Sequence, residues 1–395
     1  MAIRIVPRGE VPPNEINDFF KFTCPPEFNG PNPDPQAPTL SFSRKLLVGI
    51  DLVLPDGGKV PMWIIEDPEA PDAPHPLPKD ILRRSFPSPT RRIPLNAVVN
   101  ADVDCNGNTH TIHWHGIEPT PMNDGVGHLS FEVTGHFTYQ FQPRQAGTFF
   151  YHCHKNTVLH FEMGLYGMLL IDPPDPAAPE VPVTYLTGGP GFAARFNPAA
   201  RVPTDHVIRY DVEAIWVPDD IDSRWHTLGH NAFMQKCVPD DPDNPANFTQ
   251  DGILNDIRPD IFVLTGIARR ANDTTAFSAA ENPLVGPLVA PTLRAGQTLL
   301  ARTLVAAYTT AQFTLGIDAE VIAMDGHALG VPPFQQYSRP FIAPAGDPIR
   351  LTTARRWDLI IRPQVAGTIP VKIEYFNNIT GRLLYTARTS ITVTK

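Results

Sequence analysis

Five of the chain's 13 histidines fall in two short segments, His110-Thr-Ile-His113-Trp-His115 and His152-Cys153-His154, and a sixth, His160, follows the second. On a β-strand successive side chains point to opposite faces. His113 and His115 therefore share a face, as do His152 and His154, while Cys153 turns the other way. His110 stands three residues before His113, so its parity is opposite, and with His160 it is available to join the Cys153 thiolate. Two imidazoles and one thiolate in trigonal array, with a weak axial neighbour, make a blue-copper arrangement; the thiolate favours Cu(I) and imidazole suits both oxidation states. Four imidazoles crowded on the remaining face would, without a metal, repel as cations or leave hydrogen bonds unmet. Zinc is the rival ion. The chain has no C-x-x-C pair and no H-E-x-x-H, and one cysteine among many histidines fits copper better.

The elements that must position these residues read as strands. Of 395 residues 45 are proline, a density that breaks helices and leaves strands joined by stiff loops. Hydrophobic residues make up 42% and charged residues 18%, which excludes a disordered chain or a charge-patterned coiled coil. A net charge of −9 with no Lys/Arg block excludes nucleic-acid backbone binding. No apolar run is long enough to span a membrane, and MAIRIVPRGEVPPNE has no hydrophobic h-region, so a secretory signal is absent or already removed.

Residues 1–40 read as an extended Pro/Asn/Asp-rich arm. An Asp-Gly-Gly hairpin follows near Asp56, then strand-like runs at Ala97–Val103, Thr111–His115, Thr138–Phe141, Thr148–His152 and Leu165–Ile171. Residues 41–175 form a first domain, 176–200 a Pro-rich linker, and 201–395 a second β-rich domain. Its runs are His206–Trp216, Gln312–Ala323 and Trp357–Ile361, with a short helix near Asp222–Phe233. Gln142-Pro-Arg-Gln-Ala-Gly-Thr148 recurs as Arg362-Pro-Gln-Val-Ala-Gly-Thr368, which points to two tandem domains of one fold. At that spacing His152, Cys153 and His154 fall on Lys372, Ile373 and Glu374, so the second domain has no matching copper motif. Four cysteines are too few for a disulfide scaffold; Cys24, Cys105 and Cys237 leave one bridge open, with the pair unassigned.

Phe86-Pro-Ser-Pro-Thr90, THTIHWHG, Asp124-Gly125, QAGTFFYHCH and GLYGMLLID together resemble the multicopper oxidases and their cupredoxin relatives, the laccases and copper nitrite reductases. The resemblance is strong over residues 85–172. Over 183–395 it is weaker, where VIAMDG and RRWDLIIRPQVAGT look like a copper-free oxidase domain. It implies an all-β fold of tandem cupredoxin-like Greek-key sandwiches, and a copper-dependent, laccase-like oxidoreductase. Carried over by residue, His110, Cys153 and His160 match the type 1 ligands, and His113, His115, His152 and His154 match the type 2/type 3 ligands where dioxygen is reduced. Leu165 falls in the axial slot and would leave copper three-coordinate, with Met163 and Met168 as nearby packing residues. The His-Cys-His triplet would carry electrons between the two sites.

The Cys153–His160 loop is longer than in the usual oxidase and shorter than in the nitrite reductases. The family's three-copper cluster draws histidines from two domains, and here the first supplies four. His226 and His230 share a helix face at i, i+4; with His206 and His327 they read as ordinary histidines unless one completes a cluster across subunits. Two-domain members form trimers with the second metal site between subunits, so a homotrimer is expected. Its partners would be a small reducing substrate and dioxygen, in the periplasm or outside the cell. Glu162 and Asp124 are candidate proton donors beside the oxygen site; His128 and His136 read as exposed. Two other functions compete: a copper-binding or electron-transfer protein without turnover, and a nitrite-reductase-like enzyme. The second is disfavoured because that family carries Asp where His113 stands and a small residue where His154 stands.

Overall fold

In the computed structural model, residues 21–22, 38–69, 77–127, 132–229, 257–332 and 334–395 are described, and their regular secondary structure is nearly all strand. Most of the expected arm, residues 128–131 with His128, and residues 230–256 with His230 and Cys237 lie outside this set. The first sandwich has a five-stranded sheet in the order β1-β7-β5-β2-β3. Its strands are β1 (Lys21–Phe22), β2 (Leu40–Val53), β3 (Lys59–Glu66), β5 (Val99–His110) and β7 (Glu132–Phe141). Facing it is a four-stranded sheet, β4-β9-β8-β6, from β4 (Ser88–Pro94), β6 (Ile112–His115), β8 (Gly147–Cys153) and β9 (Tyr166–Asp172). The hairpin expected at Asp56 forms: Gly57 takes φ +82°, open to glycine without a Cβ penalty, and Gly58 N–H donates to Asp56 Oδ1 at 2.8 Å.

Alternation decides what each face of β6 and β8 meets. Ile112, Trp114, Phe149, Tyr151 and Cys153 enter the core between the two sheets, beside Val99, Val103 and Tyr139. Phe150 faces outward into a separate apolar layer with Ile215, Val217, Leu304 and Ala306 of the second half. The strand that carries His152 and Cys153 is thus buried on both sides, which is why every residue of Gly147–Cys153 is buried.

The second half is another sandwich. One sheet runs β12-β17-β23-β19-β20, from β12 (Val212–Trp216), β17 (Leu299–Thr303), β19 (Ala319–Met324), β20 (His327–Ala328) and β23 (Trp357–Ile361), with β21 (Phe341–Ala343) paired to β19. The other runs β16-β25-β24-β18-β22, from β16 (Thr292–Arg294), β18 (Thr310–Leu315), β22 (Pro348–Leu351), β24 (Gly367–Phe376) and β25 (Leu383–Thr394). β13 (Pro218–Ile221), β14 (Ile261–Leu264) and β15 (Ile267–Arg270) make a small sheet. β10 (Gly191–Ala194), inside the stretch expected to be linker, pairs with β11 (Val207–Tyr210). Helices are short: α1 (Lys79–Arg83), α2 (Thr157–Glu162), α3 (Ser223–Leu228) and α4 (Gly286–Val289).

The run Gln312–Ala323, expected as one strand, is two, β18 and β19, in opposite sheets. Gly316 turns the corner: its N–H donates to Pro370 O at 2.9 Å, and a Cβ there would meet the Pro370 ring at 2.6 Å. His206–Trp216 likewise divides at Asp211, whose carboxylate accepts from Thr298 N–H at 2.9 Å. The seven-residue repeat occupies equivalent corners, β7 to β8 and β23 to β24, each crossing from one sheet to the facing one. Cys105 is a free, buried thiol, so the bridge left open for it is not made.

A buried ionic chain fastens the sandwiches together. Arg92 grips Asp172 (2.6 and 3.0 Å) and reaches Glu213 Oε2 at 2.8 Å. Arg302 Nε donates to Glu213 Oε1 at 2.7 Å, and its Nη1 reaches Thr148 Oγ1 at 3.1 Å and Asp358 Oδ2 at 3.4 Å. Burial alone would raise the Glu213 carboxyl, but Arg92 and Arg302 outweigh it and hold it down at about 2.

Glu213→Gln leaves two buried guanidiniums short of a carboxylate and is expected to cost about 3–5 kcal/mol at neutral pH by urea denaturation. The carboxyl is depressed on folding from its ordinary 4.5, so its stabilisation is present above that pH and lost as pH falls toward 2. The gap between wild type and variant should therefore close in acid; a gap unchanged at about pH 3 would remove charge as its cause. A second prediction concerns Gly125, where φ is +73° and a Cβ would lie 1.7 Å from the Ile112 carbonyl oxygen on β6. Gly125→Ala should destabilise by about 2–5 kcal/mol, and a variant as stable as its parent would show that this turn does not press on β6.

Candidate metal centre

His110 closes β5, Cys153 closes β8 and His160 stands in the last turn of α2, and the three donor atoms lie within 4.8 Å of one another. Cys153 Sγ is 3.4 Å from His110 Nδ1 and 3.2 Å from His160 Nδ1. The neighbourhood is held by backbone: Cys153 N–H donates to Leu165 O at 3.0 Å, and Leu165 N–H to His160 O at 3.0 Å. All three residues are buried, and burial pushes the Cys153 thiol up to about 11. Leu165 packs in the same core as Cys153 and brings no donor atom. Met163 packs instead with Leu159 and Trp225, and Met168 lies in the layer between the sandwiches.

Across β8 the antiparallel register sets His113 directly opposite His152. The donor atoms of His113, His115 and His152 lie within 4.8 Å of one another. The His154 ring is centred 5.4 Å from that of His113 and 5.6 Å from that of His152. Two tautomers are fixed by carbonyls, which only accept: His113 Nδ1 donates to Asp124 O at 2.7 Å and His152 Nδ1 to Cys153 O at 3.0 Å. His152 Nε2 in turn lies 3.3 Å from His115 Nδ1. Burial, then the Arg356 charge, then His113 and His154 push His115 down to about 3, and burial first holds His152 well below the usual imidazole range. Clustered imidazoles, two of them tied by Nδ1 to carbonyls, with a thiol between two Nδ1 atoms behind them, form a donor set that fits copper.

Above His113 and His115 lies a hollow of about 400 Å³. Its remaining wall is Gly116, Glu118 and Asp124 from the first sandwich and Asp325, His327, Ala354, Arg355 and Arg356 from the second. Asp124 is thus beside the four histidines, with Oδ1 3.4 Å from His113 Nδ1. Glu162, expected there too, is not. Its Oε1 accepts from Asp222 N–H at 2.8 Å and lies 3.6 Å from His226 Nε2, because the last turn of α2 faces α3. His226 in turn donates from Nδ1 to Pro61 O at 2.7 Å. His206 stacks on Phe196 and His136 sits between Asp102 and Asp104. His327 reaches the rim, fixed by Gln145 and stacked on Phe334 at 5.2 Å, but is not among the converging donors.

Sequence reasoning missed Arg356 and Trp63. Arg356 is buried, caps Phe150 at 5.3 Å and donates to Asp325 O at 2.9 Å. Trp63 on β3 meets His160 edge to face at 5.8 Å between ring centres. Both come from segments with no chemical motif, and only the tertiary fold brings them to the histidines.

The family model described as multicopper oxidase matches residues 82–176. L-ascorbate oxidase of Cucumis sativus is 39% identical over 99 residues, 23% of this chain and 16% of that protein. Copper resistance protein A of Pseudomonas syringae pv. tomato is 44% identical over 69 residues, 17% of this chain and 11% of that protein. The matched part is therefore a small fraction of either relative's length. Among solved structures, the blue copper oxidase of Nitrosomonas europaea superposes with a TM-score of 0.55 at 17% identity, covering 90% of this chain and 86% of that one. The copper nitrite reductase of the same organism gives 0.50 at 13% identity, covering 90% and 93%. The chain has the cupredoxin-like sandwich fold of these neighbours, and its residues 82–176 match the multicopper oxidase family model.

Proposed function

We propose that the chain is a two-domain, laccase-like copper oxidase in which His110, Cys153 and His160 hold a type 1 copper and His113, His115, His152 and His154 hold copper at a second site. The observation that carries this reading is the β6–β8 pairing, with a thiol and two imidazoles gathered on one face and four imidazoles on the other. Bound copper would supply one-electron oxidation of a small reducing substrate at the first site and reduction of dioxygen at the second. Cys153 is bonded through its own main chain to His152 and His154, so the two ligand sets are covalently continuous. Leu165 withholds a fourth donor from the first set. Asp124 and Glu118 stand at the rim of the hollow, where carboxylates can hold protons for the oxygen side. That hollow is open, and a neighbouring copy in a homotrimer would close it. The kinship with copper resistance protein A and the copper-thiolate chemistry favour a periplasmic or extracellular setting.

One observation favours a second reading, a copper-binding or electron-transfer protein without turnover. Among the described residues no histidine of the second sandwich joins the converging donors. Metal counting with absorption and spin-resonance spectra separates the two. The oxidase reading expects more than one copper per chain, a blue band, and dioxygen uptake with a phenolic or metal-ion donor. A single blue copper with no uptake would establish the carrier instead. In Cys153→Ser the blue band should vanish and uptake fall by roughly a hundredfold or more while copper remains at the four-histidine site. Retention of the blue band in that variant would dismiss the assignment of Cys153.

A further inference from the structure

A second, larger hollow of about 590 Å³ lies beside the one over the histidines and shares Gly116, Glu118 and His327 with it. Its size suits a small organic molecule. Much of its lining is aromatic. Phe149 on β8 is 1% exposed and meets His327 of the second sandwich edge to face at 6.3 Å, and Phe334 stacks on His327 at 5.2 Å and 16°. Phe334 and Met122 are 49% and 46% exposed, so the apolar lining reaches the surface. His327 is fixed by Gln145, and burial first holds its imidazole below the ordinary range, which leaves it uncharged at neutral pH.

Neutral polar groups of the lining are engaged within the protein. Asn123 Nδ2 donates to Thr120 Oγ1 at 2.8 Å and its Oδ1 accepts from Gln140 N–H at 2.8 Å, while Gln142 Nε2 donates to Asn96 O at 2.7 Å. The two charged side chains are not. Glu118 and Arg144 are both exposed, do not pair with each other, and make no side-chain hydrogen bond or ion pair with another described residue. In the neighbouring hollow, by contrast, Arg355 and Arg356 are both engaged by Asp325. Glu118 also takes φ +55°, a left-handed conformation that costs free energy for a residue with a Cβ, so its place at this mouth is imposed by the surrounding fold.

We propose that this hollow is a binding site for a free aromatic amino acid, its ring against Phe149, Phe334 and Met122, its carboxylate met by Arg144 and its ammonium by Glu118. One free cation and one free anion at the mouth of an apolar hollow complement a ligand that carries both charges. A neutral aromatic compound leaves both unpaired, and a simple acid or amine satisfies one of them while facing the like charge of the other. Ring-on-ring contact and the Met122 thioether favour an aromatic side chain over an aliphatic one. The site stands independently of the copper reading. Its occupant is an effector rather than the reducing substrate, and it sits against Glu118 and His327, which also wall the space over His113 and His115.

The test is titration calorimetry of the full chain, metal-free and copper-loaded, with L-phenylalanine, 3-phenylpropanoate (no ammonium) and 2-phenylethylamine (no carboxylate). L-phenylalanine should bind saturably and roughly fivefold or more tighter than either analogue. Arg144→Gln should weaken L-phenylalanine and 3-phenylpropanoate by about fivefold and spare 2-phenylethylamine; Glu118→Gln should weaken L-phenylalanine and 2-phenylethylamine and spare 3-phenylpropanoate. Both side chains are exposed, so neither change threatens folding. No saturable heat up to roughly 10 mM L-phenylalanine overturns the proposal. So does an affinity no better than the analogues', or a loss in either variant that is equal for all three ligands. A protein that binds L-phenylalanine but no copper leaves this inference standing while the oxidase reading falls, and the opposite pair of results does the reverse.

Discussion

The two-residue period of a single strand, β8, is the constraint on which the site depends. Because side chains alternate, Tyr151 and Cys153 enter the first sandwich core while Thr148, Phe150 and His152 face the second sandwich. A one-residue slip of register would send the thiol to the wrong side and strand the histidines in the core. The slip is resisted on both faces at once. Trp114, Phe149 and Tyr151 are packed in the core, and Thr148 is held from outside by Asp358 at 2.5 Å and Arg302 at 3.1 Å.

The ionic chain through Glu213 has the same logic. It carries three carboxylates, Asp172, Glu213 and Asp358, against two guanidiniums, so the central carboxylate that touches both cations keeps its charge most firmly. Burial pushes the two terminal aspartates up instead. Such chains add little net stability over well-packed apolar groups, but each member is costly to remove and each accepts few alternative partners. That selectivity suits a contact whose role is alignment: it sets the second sandwich against the outer face of β8, where Arg356 and Asp325 become part of the wall over the histidines.

The clustering of the histidines and the thiol was legible in the sequence because its geometry is local. Strand parity alone separates Cys153 from His152 and His154, and the antiparallel pairing of β6 with β8 follows from two short alternating runs. What could not be read is contact made at long separation. Arg302 and Thr148 are 154 residues apart, and nothing in RRWDLIIRP says that Arg356 turns toward a histidine pocket. Corners were also hidden. The alternation from Gln312 to Ala323 runs unbroken through Gly316, and only the Pro370 carbonyl and ring against that glycine reveal a change of sheet. Glu162 was misplaced for a related reason, since proximity in sequence to His160 says nothing about which side of a one-turn helix faces α3.

The internal repeat provides a control on what the fold itself demands. Gly147 and Gly367 begin equivalent strands with φ of 158° and 155°. Six residues on, Ile373 fills the second core as Cys153 fills the first. The positions matching His152 and His154 are Lys372 and Glu374, which pair with each other at 3.1 Å on a partly exposed face. An exposed pair of this kind contributes about 1 kcal/mol at most, so the strand is built without help from those two positions. Nothing in the folding of such a strand calls for imidazoles there. Packing histidines against one another, with two tautomers fixed by carbonyls, works against stability unless something binds them. The difference between the copies is therefore a difference in chemistry laid on one scaffold.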